Sequence, residues 1–203
     1  MLKTALHFSH QLLRECVQPG DIVVDATMGN GHDTLFLAEL VGEKGQVHAF
    51  DIQQQALEQT TKRLSEANLT SRVACHLVGH EHVLDYLAPE DQIQAAIFNL
   101  GYLPNSDKHC ITLPETTKQA LDGLLSRLKA KGRIIVVSYY GHAGGAEELQ
   151  AVEQYCQALP QESINVLKYQ FINQKNQPPI LFCIEKNDAK VICALAFFGI
   201  IIL

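Results

Sequence analysis

The chain of 203 residues has no basic excess. Lys and Arg number 16 against 22 Asp and Glu, a formal charge of −6. A chain so charged meets RNA through a local patch or a shared surface, not through bulk attraction. It has no closely spaced cysteines either. Cys16, Cys75, Cys110, Cys156, Cys183 and Cys193 form no CxxC pair, which excludes a zinc knuckle and a dithiol redox motif. They read as buried thiols of a cytoplasmic protein. No basic stretch followed by an apolar run opens the sequence, so secretion is not expected. No internal repeat and no linker-like stretch is found. The apolar segment Val191–Leu203 is shorter than the roughly 20 residues of a membrane helix. It reads as an extra buried strand or a hydrophobic extension, and no membrane partner is expected. What the chain does hold is apolar residues, 47% against 19% charged, enough for the core of one ordinary domain.

Short apolar runs alternate with longer amphipathic ones. Strands are predicted at Asp21–Ala26, Gln46–Asp51, Val73–Val78, Ala95–Leu100, Arg133–Tyr139, Ile164–Phe171 and Ile180–Glu185. Helices are predicted at His32–Val41, Gln53–Ala67, Glu115–Lys129 and Glu147–Leu159, the third with Leu121, Leu124, Leu125 and Leu128 at helical spacing. This rhythm predicts an α/β fold of βαβ units around a mostly parallel sheet. Runs such as VVDA and IIVV are apolar on both faces, as strands covered by helices on both sides must be. The last two strands are joined by too few residues for a crossover helix, and an antiparallel pair is expected.

The informative segment is the turn after the first strand, Asp25-Ala26-Thr27-Met28-Gly29-Asn30-Gly31-His32-Asp33-Thr34. Gly29 and Gly31 let the backbone bend and approach a ligand at the carboxyl ends of the strands. A dinucleotide fingerprint needs a third glycine, and Thr34 stands there. Asp25 and Asp33 flank the turn, and carboxylates repel a pyrophosphate but favour a cation. S-adenosylmethionine carries an ammonium and a sulfonium and no phosphate, so it suits this loop better than NAD. Asp25, Thr27, Gly29, Asn30, Gly31 and Asp33 are the turn's candidate cofactor residues. Asp51 ends the second strand about 20 residues on, where a carboxylate accepts ribose hydroxyls; it also suits a cap of the helix that follows. Gln53 adds a polar group beside it. Gly79 and His80, after the third strand, face the expected position of the base. His80 and His82, two apart, share no helix face, and no third ligand is evident, so no metal is expected.

The fourth strand runs into Asn99-Leu100-Gly101-Tyr102. Asn99 is read both as a cofactor contact and as the group that holds an acceptor nitrogen, with Tyr102 as a wall of the acceptor pocket. An ordinary turn with a half-buried tyrosine is the other reading. His142, in Ser138-Tyr139-Tyr140-Gly141-His142-Ala143-Gly144-Gly145, either takes a proton or belongs to a plain helix entry. The six cysteines sit outside these segments, which disfavours base methylation through a covalent cysteine adduct.

The segments HFSH near His10, GDIVVDATMGNGHDTLFLA, VGHEH, FNLGYLPNSDK, TLPETT, SYYGHAGG and NQKNQPP together resemble a small class I methyltransferase family. Its members have been labelled putative rRNA methylases and are associated with methylation of 5-aminomethyl-2-thiouridine at the tRNA wobble position (the MnmM/YtqB family). The resemblance runs to about Lys186. It implies a seven-stranded Rossmann-like sheet with helices on both faces over residues 1–186, followed by an apolar tail over 187–203. It implies S-adenosylmethionine as cofactor, held by Asn30, Gly31 and Asp33, by Asp51 and Gln53, and by Gly79 and His80. It also implies a tRNA substrate, a homodimer and a cytoplasmic setting. Methylation of rRNA or of a small amine, a non-catalytic cofactor-binding module and a nicotinamide reductase are the alternatives.

Overall fold

The computed structural model describes residues 1–101 and 111–188. Helix α1 (Ala5–Cys16) precedes β1 (Ile22–Asp25), α2 (His32–Val41), β2 (Gln46–Asp51), α3 (Gln54–Glu66) and β3 (Val73–Leu77). Then come β4 (Ile93–Leu100), α4 (Pro114–Arg127), β5 (Leu128–Ser138), α5 (Gly145–Gln157), β6 (Ile164–Tyr169) and β7 (Ile180–Lys186), with short 3₁₀ turns at Thr70–Arg72 and His80–Asp85.

The strands form one seven-stranded sheet in the order β3-β2-β1-β4-β5-β7-β6. The five strands from β3 to β5 in that order run parallel. β7 runs antiparallel to both β5 and β6, as the short connection between the last two strands requires. Successive residues of a strand point to opposite faces, and both faces are covered. Val23, Ala95, Ile97, Ile135 and Val137 pack with Leu13, Phe36, Leu37 and Leu64 of α1, α2 and α3. Val24, Ala96, Phe98, Ile134 and Val136 pack with Leu121, Leu124, Val152 and Cys156 of α4 and α5. Within the sheet, β1 and β4 are neighbours although α2, β2, α3 and β3 lie between them in sequence. The strand order reverses at that point, and a crevice opens at the carboxyl ends of the strands.

Two elements differ from the sequence reading. Helix α1 was not foreseen; it is capped by the Thr4 side chain, which accepts from the His7 N–H, and it buries Ala5, Ser9, Leu12 and Leu13. The helix expected to run through Lys129 ends at Arg127, and Leu128 opens β5 in register with Ile93. Leu128 still enters the same core as Leu121 and Leu124, but from a strand, which is why helical spacing swept it in. Lys131 at φ 61° and a shift of register opposite Ile93 and Ala95 accommodate the bend. Cys156 and Cys183 are buried, and Cys16 and Cys75 half-buried. Burial pushes the first two thiols up to about 12 and the others to about 11, so all four stay protonated and weakly nucleophilic. Cys110, Cys193 and the Val191–Leu203 segment lie outside the described residues. Among those described, no helix is long and apolar enough to cross a membrane, and no group of three or more His, Cys, Asp or Glu is placed to hold a metal ion.

Candidate functional site

The chain leaves β1 at Asp25, which is fully buried. One carboxyl oxygen accepts the Thr34 hydroxyl at 2.6 Å and the other the Thr27 N–H at 3.2 Å. Burial, reinforced by the charge of Asp33, pushes its pKa up. Asp25 thus ties the two ends of the turn together from behind. Gly29 and Gly31 have φ of 49° and 75°, conformations that favour glycine. A Cβ on Gly31 would meet the Thr60 Cα at 2.8 Å. Helix α3 clamps the turn from outside: Thr60 Oγ1 donates to the Gly29 carbonyl and Arg63 Nε to the Asn30 carbonyl.

Asp51, at the end of β2, closes the turn from the other side. One of its oxygens accepts the Gly29 N–H and the other the Gln53 N–H, both at 3.0 Å. Burial raises its pKa and these donors pull it back. Gln53, not Asp51, occupies the cap position of α3. His80 is buried, and its Nδ1 donates to the Ala26 carbonyl at 3.1 Å. Its Nε2, then the acceptor nitrogen, has no hydrogen-bond partner, and burial pushes its pKa down, which keeps the ring neutral.

Asn99 ends the adjacent β4. Its backbone N–H donates to Thr27 Oγ1 at 2.7 Å, and its side-chain amide donates to Asp33 Oδ2 at 2.6 Å. The other oxygen of Asp33 lies 2.6 Å from His10 Nε2, whose ring stacks on Phe36 at 4.0 Å. Beyond β4, Gly101 donates its N–H to Thr112 Oγ1, and that hydroxyl donates to Glu148 at 2.5 Å. Thr117 donates to the second oxygen of Glu148 at 2.8 Å. Glu148 is buried, which raises its pKa. His142 Nδ1 donates to the Ala143 carbonyl at 2.9 Å, and its ring packs over Gly101 and Gly145.

These groups surround a cavity of about 1220 Å³. Thr27, Gly29, Asn30, Asp33, Asp51, Gln53, Gly79, His80, Asn99 and His142 line it. Asp25 and Gly31 do not: one sits behind the turn, the other against Thr60. Their part is to shape the turn, a correction to the direct contact expected of them. Tyr102 lies outside the described residues. Absent from the sequence reading as site residues were Leu6 and His10 from α1, Ile52, Thr112 and Leu113. His10 was visible within the HFSH segment. The missing signal was the amphipathic period of residues 5–16, which marks the helix that carries it.

The described lining includes Asp33, Asp51 and Glu81 but no Lys or Arg. A pyrophosphate would find no counter-charge there, whereas a cationic, phosphate-free ligand would. The unpartnered Nε2 of His80 and the glycine turn, left open to the cavity, fit the base and backbone of an adenosine-bearing molecule such as S-adenosylmethionine.

Comparison with known proteins agrees with this chemistry. Residues 47–185 match the model of the family described as "Putative rRNA methylase". A relative in Arabidopsis thaliana, the chloroplastic tRNA (mnm(5)s(2)U34)-methyltransferase, is 35% identical over 194 residues, 92% of this chain and 71% of the relative. A solved rRNA methylase structure from Clostridium thermocellum superposes with a TM-score of 0.89 at 46% identity, covering 92% of this chain and 99% of that one. A methyltransferase from Streptococcus mutans, solved in complex with SAH, has a TM-score of 0.84 at 41% identity with the same coverage of each chain.

Proposed function

The chain belongs to the rRNA methylase family and is an S-adenosylmethionine-dependent methyltransferase, and from that premise we propose that it N-methylates the aminomethyl group of 5-aminomethyl-2-thiouridine at the tRNA wobble position. The observation that carries this reading is the Asp33–Asn99 pair on the wall of a cavity whose described lining has no Lys or Arg. A carboxylate there attracts an alkylammonium, which the phosphate-rich parts of RNA are not. The Arabidopsis relative at 35% identity, named for this modified uridine, supports the same acceptor.

Bound S-adenosylmethionine would supply an electrophilic methyl on a sulfonium. The chain's own residues do the rest. Asp51 spends one lone pair of each oxygen on Gly29 and Gln53, and a carboxylate has about four such sites; the remainder hold the ribose hydroxyls. Gly79 and the neutral His80 face the base. Asn30, Gln53 and the turn backbone enclose the cofactor's length, while Thr27 sets Asn99 through its backbone N–H. Asp33 and Asn99 orient the acceptor amine toward the methyl, and most of the acceleration comes from that alignment. An alkyl amine has a free pKa of about 10.4 and must shed a proton before it attacks. His142 and Tyr102 belong to the acceptor side in this reading. Residues 1–186 make up the catalytic domain and 187–203 a tail. The enzyme acts as a cytoplasmic homodimer, since a charge of −6 leaves one chain a poor partner for a polyanion.

The test is mass spectrometry of nucleosides from tRNA carrying the free aminomethyl group, after incubation with the purified chain and S-adenosylmethionine. A singly methylated aminomethyl nucleoside is expected. An unchanged tRNA alongside methylated rRNA or small amine would overturn the acceptor.

A further inference from the structure

We propose that His10, on helix α1, receives the proton that the acceptor amine sheds, and that Asp33 holds its ring for that purpose; this rests on the amine-acceptor reading above. Asp33 is the one group that touches both histidine and amide. Oδ2 accepts from the Asn99 amide and Oδ1 meets His10 Nε2, each at 2.6 Å. An ionised carboxylate only accepts, so the Nε2 of His10 carries the hydrogen. The ring is then a neutral tautomer with its lone pair on Nδ1, and Nδ1 has no hydrogen-bond partner among the described residues. Stacking on Phe36 at 4.0 Å and 6° fixes the plane of the ring. The side chain remains 22% exposed and lines the cavity beside Asn99. A carboxylate that orients an imidazole through one nitrogen and leaves the other as a base is the arrangement of hydrolytic dyads.

The need for such a base follows from Asp33 itself. The carboxylate that attracts an ammonium also favours its protonated form, so capture and reactivity conflict unless the proton has somewhere to go. In the step, one ammonium N–H bond breaks, its proton passes to His10 Nδ1, and the electron pair stays on nitrogen as the nucleophile. The imidazolium so formed is paired with Asp33, which gains a counter-charge as the amine loses its own. The other charged or titratable groups around His10 are Asp25 behind Asp33, Tyr139 at the end of β5, whose hydroxyl also feels Asp33, and His7 and Arg14 on α1, Arg14 capping the far face of Phe36 at 4.6 Å. Arg133 of β5 and Glu185 of β7 meet the opposite end of the helix through Glu15 and Leu12.

His10→Gln keeps a donor toward Asp33 and removes the base. Expected is a fall of about 100-fold or more in the single-turnover methylation rate, with SAH affinity by calorimetry unchanged and the acid limb of the pH–rate profile lost. Free imidazole restores turnover to His10→Gly. In the ligand-free wild-type protein, nitrogen NMR reports His10 as the Nε2–H tautomer. A His10→Gln rate within about threefold of wild type, loss of SAH binding, failed imidazole rescue, or an Nδ1–H tautomer would each overturn the assignment. Failure of the acceptor reading looks different: wild type itself would then leave the aminomethyl tRNA unmethylated.

Discussion

The two walls of the cavity are built in different ways. The donor wall comes from β1, β2 and the turn between β1 and α2, and its side chains bond mostly to nearby backbone: Asp51 to Gly29 and Gln53, Thr60 to Gly29, Arg63 to Asn30. The acceptor wall is assembled from segments far apart in sequence, and its side chains bond to one another: His10 to Asp33, Asp33 to Asn99, Thr112 and Thr117 to Glu148. A wall made of backbone and glycine recognises a constant cofactor. A wall made of side-chain pairs can be retuned one residue at a time, which is what a changing acceptor demands. The contrast also separates the expected failures: damage to the first wall shows in cofactor affinity, damage to the second in turnover.

The largest effect is expected at Asp51→Ala. Losing charge-assisted bonds to a ribose, at about 1.5–3 kcal/mol each, weakens SAH binding at least about 100-fold in isothermal titration. Asn99→Ala sharpens the contrast. It should bind SAH normally yet lose about 100-fold in transfer rate, since an acceptor misplaced by an ångström costs that much; normal turnover would dissolve the division of labour. Glu148→Ala strands the hydroxyls of Thr112 and Thr117 in a buried site. Denaturant unfolding should show a loss of about 1–3 kcal/mol, with turnover falling more than cofactor affinity because Thr112 lines the acceptor side.

The smallest effect concerns stability alone, on the strands that carry the donor wall. His76 stacks against Phe50 and Tyr86 beside His48. Burial, then the neighbouring His48, pushes its pKa down to about 4. The unfolded chain, with His near 6.5, therefore binds more protons between those values. Its contribution to stability is full above about pH 6.5 and is lost as the pH falls toward 4. The ring is only half-buried, so solvent screening keeps the loss to about 1 kcal/mol. Thermal melts at pH 7 and pH 5 should differ less in His76→Phe than in wild type.

This contrast also explains how much was legible in the sequence. The seven strands, four of the five long helices, the antiparallel final pair and the acidic glycine turn follow from local patterns: apolar runs, helical periods, Gly at a strand–helix junction. The donor wall is local in that sense, so Thr27, Gly29, Asn30, Asp51 and Gln53 were named in advance. Even there, the direction of a side chain was not written locally. Asp25 faces inward to Thr34 because the parallel strand it ends is buried on both sides, and Gly31 faces Thr60 because α3 returns over the turn. The acceptor wall depends on which distant segments the sheet order brings together. His10 reaches Asp33 because α1 packs across the β4 and β5 face of the sheet, and Thr112 reaches Glu148 because α4 and α5 share the other face. No spacing rule along the chain announces either meeting.

The most direct test is a paired titration of SAH into Asp51→Ala and Asn99→Ala, read beside the methylation rate of each on aminomethyl tRNA. The expected result is binding lost in the first and kept in the second, with transfer lost in both. Binding kept by Asp51→Ala, or lost by Asn99→Ala, would contradict a cavity divided into a donor wall and an acceptor wall.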